Sequence, residues 1–202
     1  MTGITPAPLR ALRRRVAVLV GEVLSPGVLV TVALPLVGWT GTRSLTGVGW
    51  GLFAALCCVA VPYIVLFLGV RRGYWQDHHL RDRRQRTVPF LIATGCALTG
   101  CAVLLLLDAP RIVLALVVAI LAGLVSTSVV NRWWKISVHT TSAAGVATAL
   151  AFTYGLMWGV AAPAVALVAW SRVELDHHTV AQVVAGALQG AVVCGTVFAL
   201  LH

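Results

Sequence analysis

The chain has 202 residues, of which 59% are hydrophobic and 10% are charged, and its mean hydropathy is +0.94. Soluble globular domains carry about 25% charged residues, so this composition excludes that class. Several apolar runs reach the ~20 residues that a membrane-spanning helix needs. We therefore predict an all-α fold, a polytopic membrane helical bundle that forms one domain.

The net charge of +9 comes almost entirely from arginine, since Lys135 is the only lysine. These cations flank the apolar runs and do not form a separate basic domain. Membrane topology and anionic lipid headgroups account for this pattern, so we expect membrane lipids as partners and no nucleic acid. The high content of alanine, valine, leucine and arginine is typical of a GC-rich bacterial genome.

The apolar runs predict six to seven transmembrane helices, preceded by a basic tail. Residues 1–15 form this tail, and residues 16–202 form a single transmembrane domain. Glu22 interrupts the first run and is a candidate functional residue, although we favour a carboxylate that snorkels to the interface or pairs with an arginine. The predicted spans cover residues 16–37, 48–70, 89–107, 111–130, 142–158, a short run ending at Trp170, and 180–201.

Three polar islands separate these runs: residues 71–89, 131–141 and 171–182, here called the first, second and third islands. Two predicted spans lie between successive islands, so all three are expected on the same face of the membrane. The positive-inside rule places the basic tail, and with it the islands, in the cytoplasm. Charged residues at the edge of a bilayer are costly, which marks the islands as a functional site.

Histidines, cations and hydroxyl groups in these islands suit the binding of a tetrahedral oxyanion. Arginine binds phosphate oxygens as a fork, and Lys135 adds a point charge. One histidine can attack phosphorus while another protonates the leaving alkoxide. Phosphoryl transfer needs mainly positioning and charge neutralisation, which side chains can supply. We therefore predict phosphate chemistry on a membrane lipid, with no cofactor.

The islands resemble the three motifs of the type 2 phosphatidic acid phosphatase superfamily, which includes lipid phosphate and polyprenyl diphosphate phosphatases. Its third motif is Ser-Arg, five residues, His, three residues, Asp. Residues Ser171, Arg172 and His178 match this spacing, while Gln182 replaces the aspartate. The resemblance spans residues 81–190, and this motif carries most of its weight.

The other two motifs match less closely. The second is Pro-Ser-Gly-His, of which residues 136–139 keep Ser137 and His139. The first is Lys, six residues, Arg-Pro. In this chain Arg86 stands two residues short of the position before Pro89, so this motif is the loosest.

The resemblance implies a fold with a core like that of the superfamily and a role for each matching residue. It implies that His178 is the nucleophile that forms a phosphohistidine, and that His139 protonates the leaving group and then activates water. It implies that Gln182 accepts a hydrogen bond from the nucleophile, in place of the usual aspartate. The residues that it implies for phosphate binding are Arg172, Arg86, Arg83, Lys135, Ser137 and Ser171.

Two other classes of function remain open. Asp77-His78-His79 and Asp176-His177-His178 are both Asp-His-His, which suits zinc or manganese in a membrane hydrolase or a prenyl-transferring enzyme. A non-enzymatic lipid-binding or transport protein is the third class, although no inverted repeat supports it. The Gly186-x-x-x-Gly190 motif allows close helix packing and is compatible with a homo-oligomer.

The five cysteines all lie inside apolar runs. Their number is odd, and their spacing does not match that of metal ligands, so we expect small core residues and no disulfide framework. They are Cys57, Cys58, Cys96, Cys101 and Cys194.

Overall fold

A computed structural model describes residues 7–74, 87–155 and 158–202, and the regular secondary structure within these ranges is entirely helical. This confirms the all-α prediction for the described part of the chain. The helices are α1 (Ala7–Val23), α2 (Pro26–Thr42), α3 (Leu45–Arg71), α4 (Thr87–Leu106), α5 (Arg111–Asn131), α6 (Val138–Tyr154), α7 (Trp158–Glu174) and α8 (Val180–Leu201).

Four of these helices, α3, α4, α5 and α8, are long and apolar enough to cross a membrane. The pair α1 and α2, bent by 41° at their break, supplies a fifth candidate if it forms one span. Helices α6 and α7 have 17 residues each. At 1.5 Å per residue they are shorter than the ~30 Å hydrocarbon core. The described residues therefore give four to five candidate spans, and a count of six to seven stays a prediction.

The predicted first span consists of two helices in the structure. Helix α1 begins at Ala7, inside the segment that the sequence analysis treats as a tail, and ends at Val23. Ser25 caps the next helix through its side-chain oxygen, which accepts from the backbone N–H of Val28, and Pro26 occupies the first turn. A serine cap followed by proline favours a helix start at this position and explains the break.

Helix α1 packs against the end of α7, at the third island. Nη2 of Arg13 lies 2.7 Å from Oε2 of Glu174, and Nη1 of Arg14 lies 3.8 Å from Oδ2 of Asp176. The basic N-terminal segment and the third island therefore lie at the same end of the bundle.

Glycines bring several helices into backbone contact. A Cβ at Gly38 in α2 would lie 2.1 Å from the carbonyl oxygen of Gly47 in α3. A Cβ at Gly190 would lie 2.0 Å from the carbonyl oxygen of Thr141 in α6, and one at Gly186 would meet the hydroxyl of Thr140. The Gly186-x-x-x-Gly190 motif is therefore used within the chain, against α6, and its glycines do not form a surface for a second copy.

Two π-helical segments interrupt the long helices: Leu56–Ala60 within α3 and Gly190–Cys194 within α8. Such segments occur frequently at functional sites, because they displace side chains from the regular helical register. Cys58, Val59 and Cys194 from these segments line the cavity described next.

Candidate functional site

A cavity of about 290 Å³ opens between the helices and joins two chemically different regions. One region is polar and is lined by Glu22, Lys135, His139, Arg172, His177 and His178. The other region is apolar and runs between α2, α3, α4 and α5, where its walls include Val30, Leu66, Phe90, Ala93, Leu116 and Ile120. The lining of the cavity therefore has the chemistry to hold an amphiphile with an anionic head.

The second and third islands meet at the polar region. Nζ of Lys135 donates a hydrogen bond of 2.8 Å to the carbonyl oxygen of His177, and the backbone N–H of Ser137 donates to the carbonyl oxygen of Gln182 at 3.4 Å. These contacts confirm that residues 131–141 and 171–182 come together. Pro89, at the end of the first island, also lines the cavity.

Arg172 is almost fully buried, with 2% of its surface exposed. Its Nη1 lies 3.4 Å from Nε2 of His139, and its Nη2 donates to Oγ of Ser171 at 2.9 Å. Its Nε is buried and has no hydrogen-bond partner. A buried N–H without a partner is rare and costs free energy, so this donor fits an oxyanion held beside the guanidinium.

Helix α1 provides the surface on which Arg172 rests. Oγ of Ser171 donates to the carbonyl oxygen of Ala17 at 2.6 Å, which ties α7 to α1. A Cβ at Gly21 would lie 1.4 Å from Nη2 of Arg172, so the guanidinium occupies the space that any other residue would fill. Ser171 is fully buried and lies outside the cavity lining, so its observed contacts position Arg172.

His139 lies in the first turn of α6, where the helix dipole favours an anion. Ser137 caps this helix, because its Oγ accepts from the backbone N–H of Thr140 at 3.4 Å. Ser137 is fully buried and does not line the cavity. Its cap sets the start of α6 and with it the direction in which His139 enters the cavity.

His178 is oriented by Gln182. Oε1 of Gln182 lies 3.1 Å from Nδ1 of His178 and also accepts from the backbone N–H of Thr179 at 3.2 Å. A backbone N–H only donates, so this contact fixes the amide with its oxygen toward both partners. Nδ1 of His178 therefore carries the hydrogen, and Nε2 carries the lone pair when the ring is neutral.

The turn between α7 and α8 fixes His178 relative to Arg172. The backbone N–H groups of His177 and His178 both donate to the carbonyl oxygen of Arg172, at 3.0 and 3.3 Å. Asp176 has a φ of 58°, in the left-handed region that asparagine and aspartate tolerate best among the non-glycine residues. The five residues between Arg172 and His178 thus fold back to place both side chains at one cavity.

Two residues of the predicted phosphate site, Arg83 and Arg86, lie outside the described residues, as does the Asp77-His78-His79 cluster. Within residues 7–74, 87–155 and 158–202, no group of three or more His, Cys, Asp or Glu side chains is placed to hold a metal ion. Among these residues the site instead brings together histidines with Arg172 and Lys135.

The cavity includes a residue to which the sequence analysis gave no role in the site. Glu22 lines the polar region, and its charge interacts with Arg172. The sequence does mark this residue, because Glu22 is an acidic side chain inside an otherwise apolar run. An ionisable side chain within a membrane span is energetically costly and is therefore a candidate functional residue.

Gln189 in α8 is another residue outside the predicted site, and its side chain joins α8 to α5 and α6. Its amide nitrogen donates to Ser126 and Thr127 in α5, and its oxygen accepts from Thr127 and from Thr141 in α6. Thr127 and Thr141 both line the cavity, so this polar cluster fixes part of its wall.

Comparison of the chain with protein-family models, with curated proteins and with solved structures finds no match.

Proposed function

We propose that this protein is a membrane lipid phosphatase of the type 2 phosphatidic acid phosphatase superfamily. It hydrolyses a phosphomonoester or diphosphate on a lipid, with a polyprenyl chain favoured over phosphatidate, phosphatidylglycerophosphate or a prenyl-phosphate sugar phosphate. The observation that carries this proposal is that one cavity is lined by Arg172, His139 and His178 together with many apolar side chains. The spacing of the third motif in the sequence supports it independently.

In this proposal the phosphate binds at the polar region of the cavity. The fork of Arg172 and the ammonium group of Lys135 neutralise its charge, as phosphoryl transfer requires. Arg83 and Arg86 are proposed to add two further cations. The lipid chain occupies the apolar region, whose walls give it an environment like that of the bilayer interior.

The reaction proceeds in two steps. Nε2 of His178 attacks phosphorus, the bond from phosphorus to the lipid oxygen breaks, and His139 gives its proton to the leaving alkoxide. Water then attacks the phosphohistidine, His139 takes a proton from that water, and inorganic phosphate leaves with His178 restored. Gln182 keeps the hydrogen on Nδ1 throughout, so that Nε2 can act as the nucleophile.

The protein is proposed to be an integral protein of a bacterial cell membrane with its site at the cytoplasmic face. Helices α6 and α7 then complete a bundle of six to seven spans. Cysteine-labelling of intact cells at residue 80 and in the loop around Arg43 tests this topology. Labelling from outside at residue 80 contradicts the cytoplasmic assignment.

Trapping of the covalent intermediate tests the chemistry. The purified protein is mixed with a lipid phosphate labelled at phosphorus and quenched in alkali, in which phosphohistidine survives. Label on the wild-type chain that is absent from His178→Ala and present in His202→Ala supports the proposal. Label that persists in His178→Ala rules out this nucleophile.

A further inference from the structure

Glu22 lines the same cavity as Arg172, His139 and His178. A Cβ added at the preceding residue, Gly21, would lie 1.4 Å from Nη2 of Arg172, so the guanidinium packs directly on the backbone at Gly21. Ser25, Pro26 and Gly27, which follow Glu22 in the chain, also line the cavity. Along this wall, Glu22 is therefore the first side chain that follows the Arg172 contact.

Tyr63 from α3 packs on the segment of the chain that follows Glu22. A Cβ at Gly27 would lie 3.2 Å from the ring of Tyr63, so this ring packs against the start of α2. Tyr63, Glu22 and Arg172 all line the cavity. Of the cavity-lining residues in the described part of the chain, Glu22 is the only carboxylate.

The position of Glu22 beside Arg172 determines which chemical group of the ligand can lie next to the transferred phosphate. When a lipid monophosphate binds at Arg172, the group that lies beside Glu22 is the uncharged start of the chain. When a lipid diphosphate binds with its terminal phosphate at Arg172, the second phosphate enters the same place. Like charges at close range in a partly desolvated site repel strongly.

We propose that Glu22 is a specificity-determining residue that makes the site selective for lipid monophosphates over lipid diphosphates. This inference rests on the proposed function for the placement of the phosphate at Arg172. It makes Glu22 a residue that lowers the affinity for one substrate class, and it gives no role to Glu22 in the bond-breaking steps.

The test compares two ligands with the same chain, geranylgeranyl phosphate and geranylgeranyl diphosphate. Their Kd values are measured by titration calorimetry in detergent on the His178→Ala protein, which prevents turnover, with and without Glu22→Gln. The substitution is nearly isosteric, so it removes the charge with little change in shape. We expect it to tighten diphosphate binding by about tenfold or more and to change monophosphate binding by less than about threefold.

Two control variants test whether the effect depends on a negative charge at position 22 and not on any carboxylate nearby. Glu22→Asp keeps the carboxylate and is expected to leave the ratio of the two Kd values within about twofold of the parent. Glu174→Gln removes a carboxylate that lies at the same end of the bundle, paired with Arg13 and outside the cavity lining, and should not change that ratio. The proposal is overturned if Glu22→Gln leaves the ratio of the monophosphate and diphosphate Kd values unchanged. It is also overturned if Glu174→Gln changes that ratio as much as Glu22→Gln does. Glu22→Ala repeats the comparison should the first variant not fold.

The same proteins with His178 intact distinguish this inference from the proposed function. Hydrolysis of both ligands with a ratio of kcat/KM values that Glu22→Gln does not change overturns the role of Glu22 and leaves the phosphatase in place. Absence of hydrolysis together with the expected shift in Kd overturns the phosphatase and leaves Glu22 as a selector of bound lipids.

Discussion

Nδ1 of His178 lies 3.1 Å from Oε1 of Gln182, and the same oxygen accepts the backbone N–H of Thr179. The Oε1 atom of Gln182 thus has two roles. It completes the N-terminal capping box of α8, and it orients the proposed nucleophile. In the resembling motif an aspartate stands at this place. A neutral amide keeps the hydrogen on Nδ1 as a carboxylate does, but it stabilises the imidazolium less.

Replacement of Gln182 by glutamate tests this relationship. The carboxylate can accept the same two hydrogen bonds, so the fold should be unchanged. Its negative charge favours the protonated ring and raises the pKa of His178. The nucleophile must be neutral, so the acidic limb of the pH profile of kcat/KM should move to higher pH by about one unit. Gln182→Ala instead loses the contact and should lower kcat by about 10- to 100-fold, as for other residues that orient a functional histidine. An unchanged pH profile in Gln182→Glu contradicts the role.

Gly21→Ala tests whether the position of the Arg172 guanidinium matters for activity. Its Cβ would lie 1.4 Å from Nη2, so the guanidinium must move away from its position beside His139. A displacement of about 1 Å in a positioning group can cost about 100-fold in rate, and we expect a loss of that size in kcat/KM. Gly95→Ala is the matched control, because a Cβ at this helical glycine meets nothing within 4 Å. It should retain activity and gain up to about 1 kcal/mol in stability.

His139→Ala tests the general acid. A lipid alkoxide is a poor leaving group and needs a proton, whereas an activated aryl phenolate does not. The substitution should therefore lower phosphate release from a lipid phosphate by about 100-fold or more and from an aryl phosphate by less than about tenfold. Equal losses on both substrates would assign His139 to binding.

Ala93→Phe tests the apolar region of the cavity. Ala93 lines this region from α4, so a phenyl ring there fills the space assigned to the lipid chain. We expect at least about a tenfold loss of kcat/KM on a long-chain lipid phosphate, since each buried CH₂ group contributes ~0.8 kcal/mol. Activity on a short water-soluble phosphate should persist. Leu98→Phe places a ring on the exposed face of the same helix and should change neither activity. An equal loss of kcat/KM on the long-chain and the short phosphate would show that Ala93→Phe damages the protein in general and does not block the site of the lipid chain.

The sequence predicted the long helices well because their apolar runs end at polar or turn-forming residues. The boundaries of the predicted runs at 48–70, 89–107 and 111–130 lie within three residues of those of Leu45–Arg71, Thr87–Leu106 and Arg111–Asn131. The contact between Lys135 and His177 agrees with the prediction that the second and third islands lie on the same face. That prediction followed from the two predicted spans between these islands.

Other features depend on tertiary packing that one sequence does not encode locally. The contact of Gly21 with Arg172 joins residues far apart in the chain, and no motif marks it. Gly186 and Gly190 predicted close helix packing, but the sequence did not identify the partner helix, which in the structure is α6. The break of the first run at Ser25-Pro26 was visible, although the apolar residues on both sides of it favoured one continuous span.

The most direct test of the central claim is the release of inorganic phosphate by the detergent-purified protein, measured with polyprenyl phosphate, polyprenyl diphosphate and phosphatidate in excess chelator. The wild-type protein and His178→Ala are compared, and His202→Ala serves as a histidine control outside the cavity lining. We predict release that persists in chelator, is lost in His178→Ala and is retained in His202→Ala. Release that chelator abolishes, or that His178→Ala retains, would contradict hydrolysis through a phosphohistidine at His178.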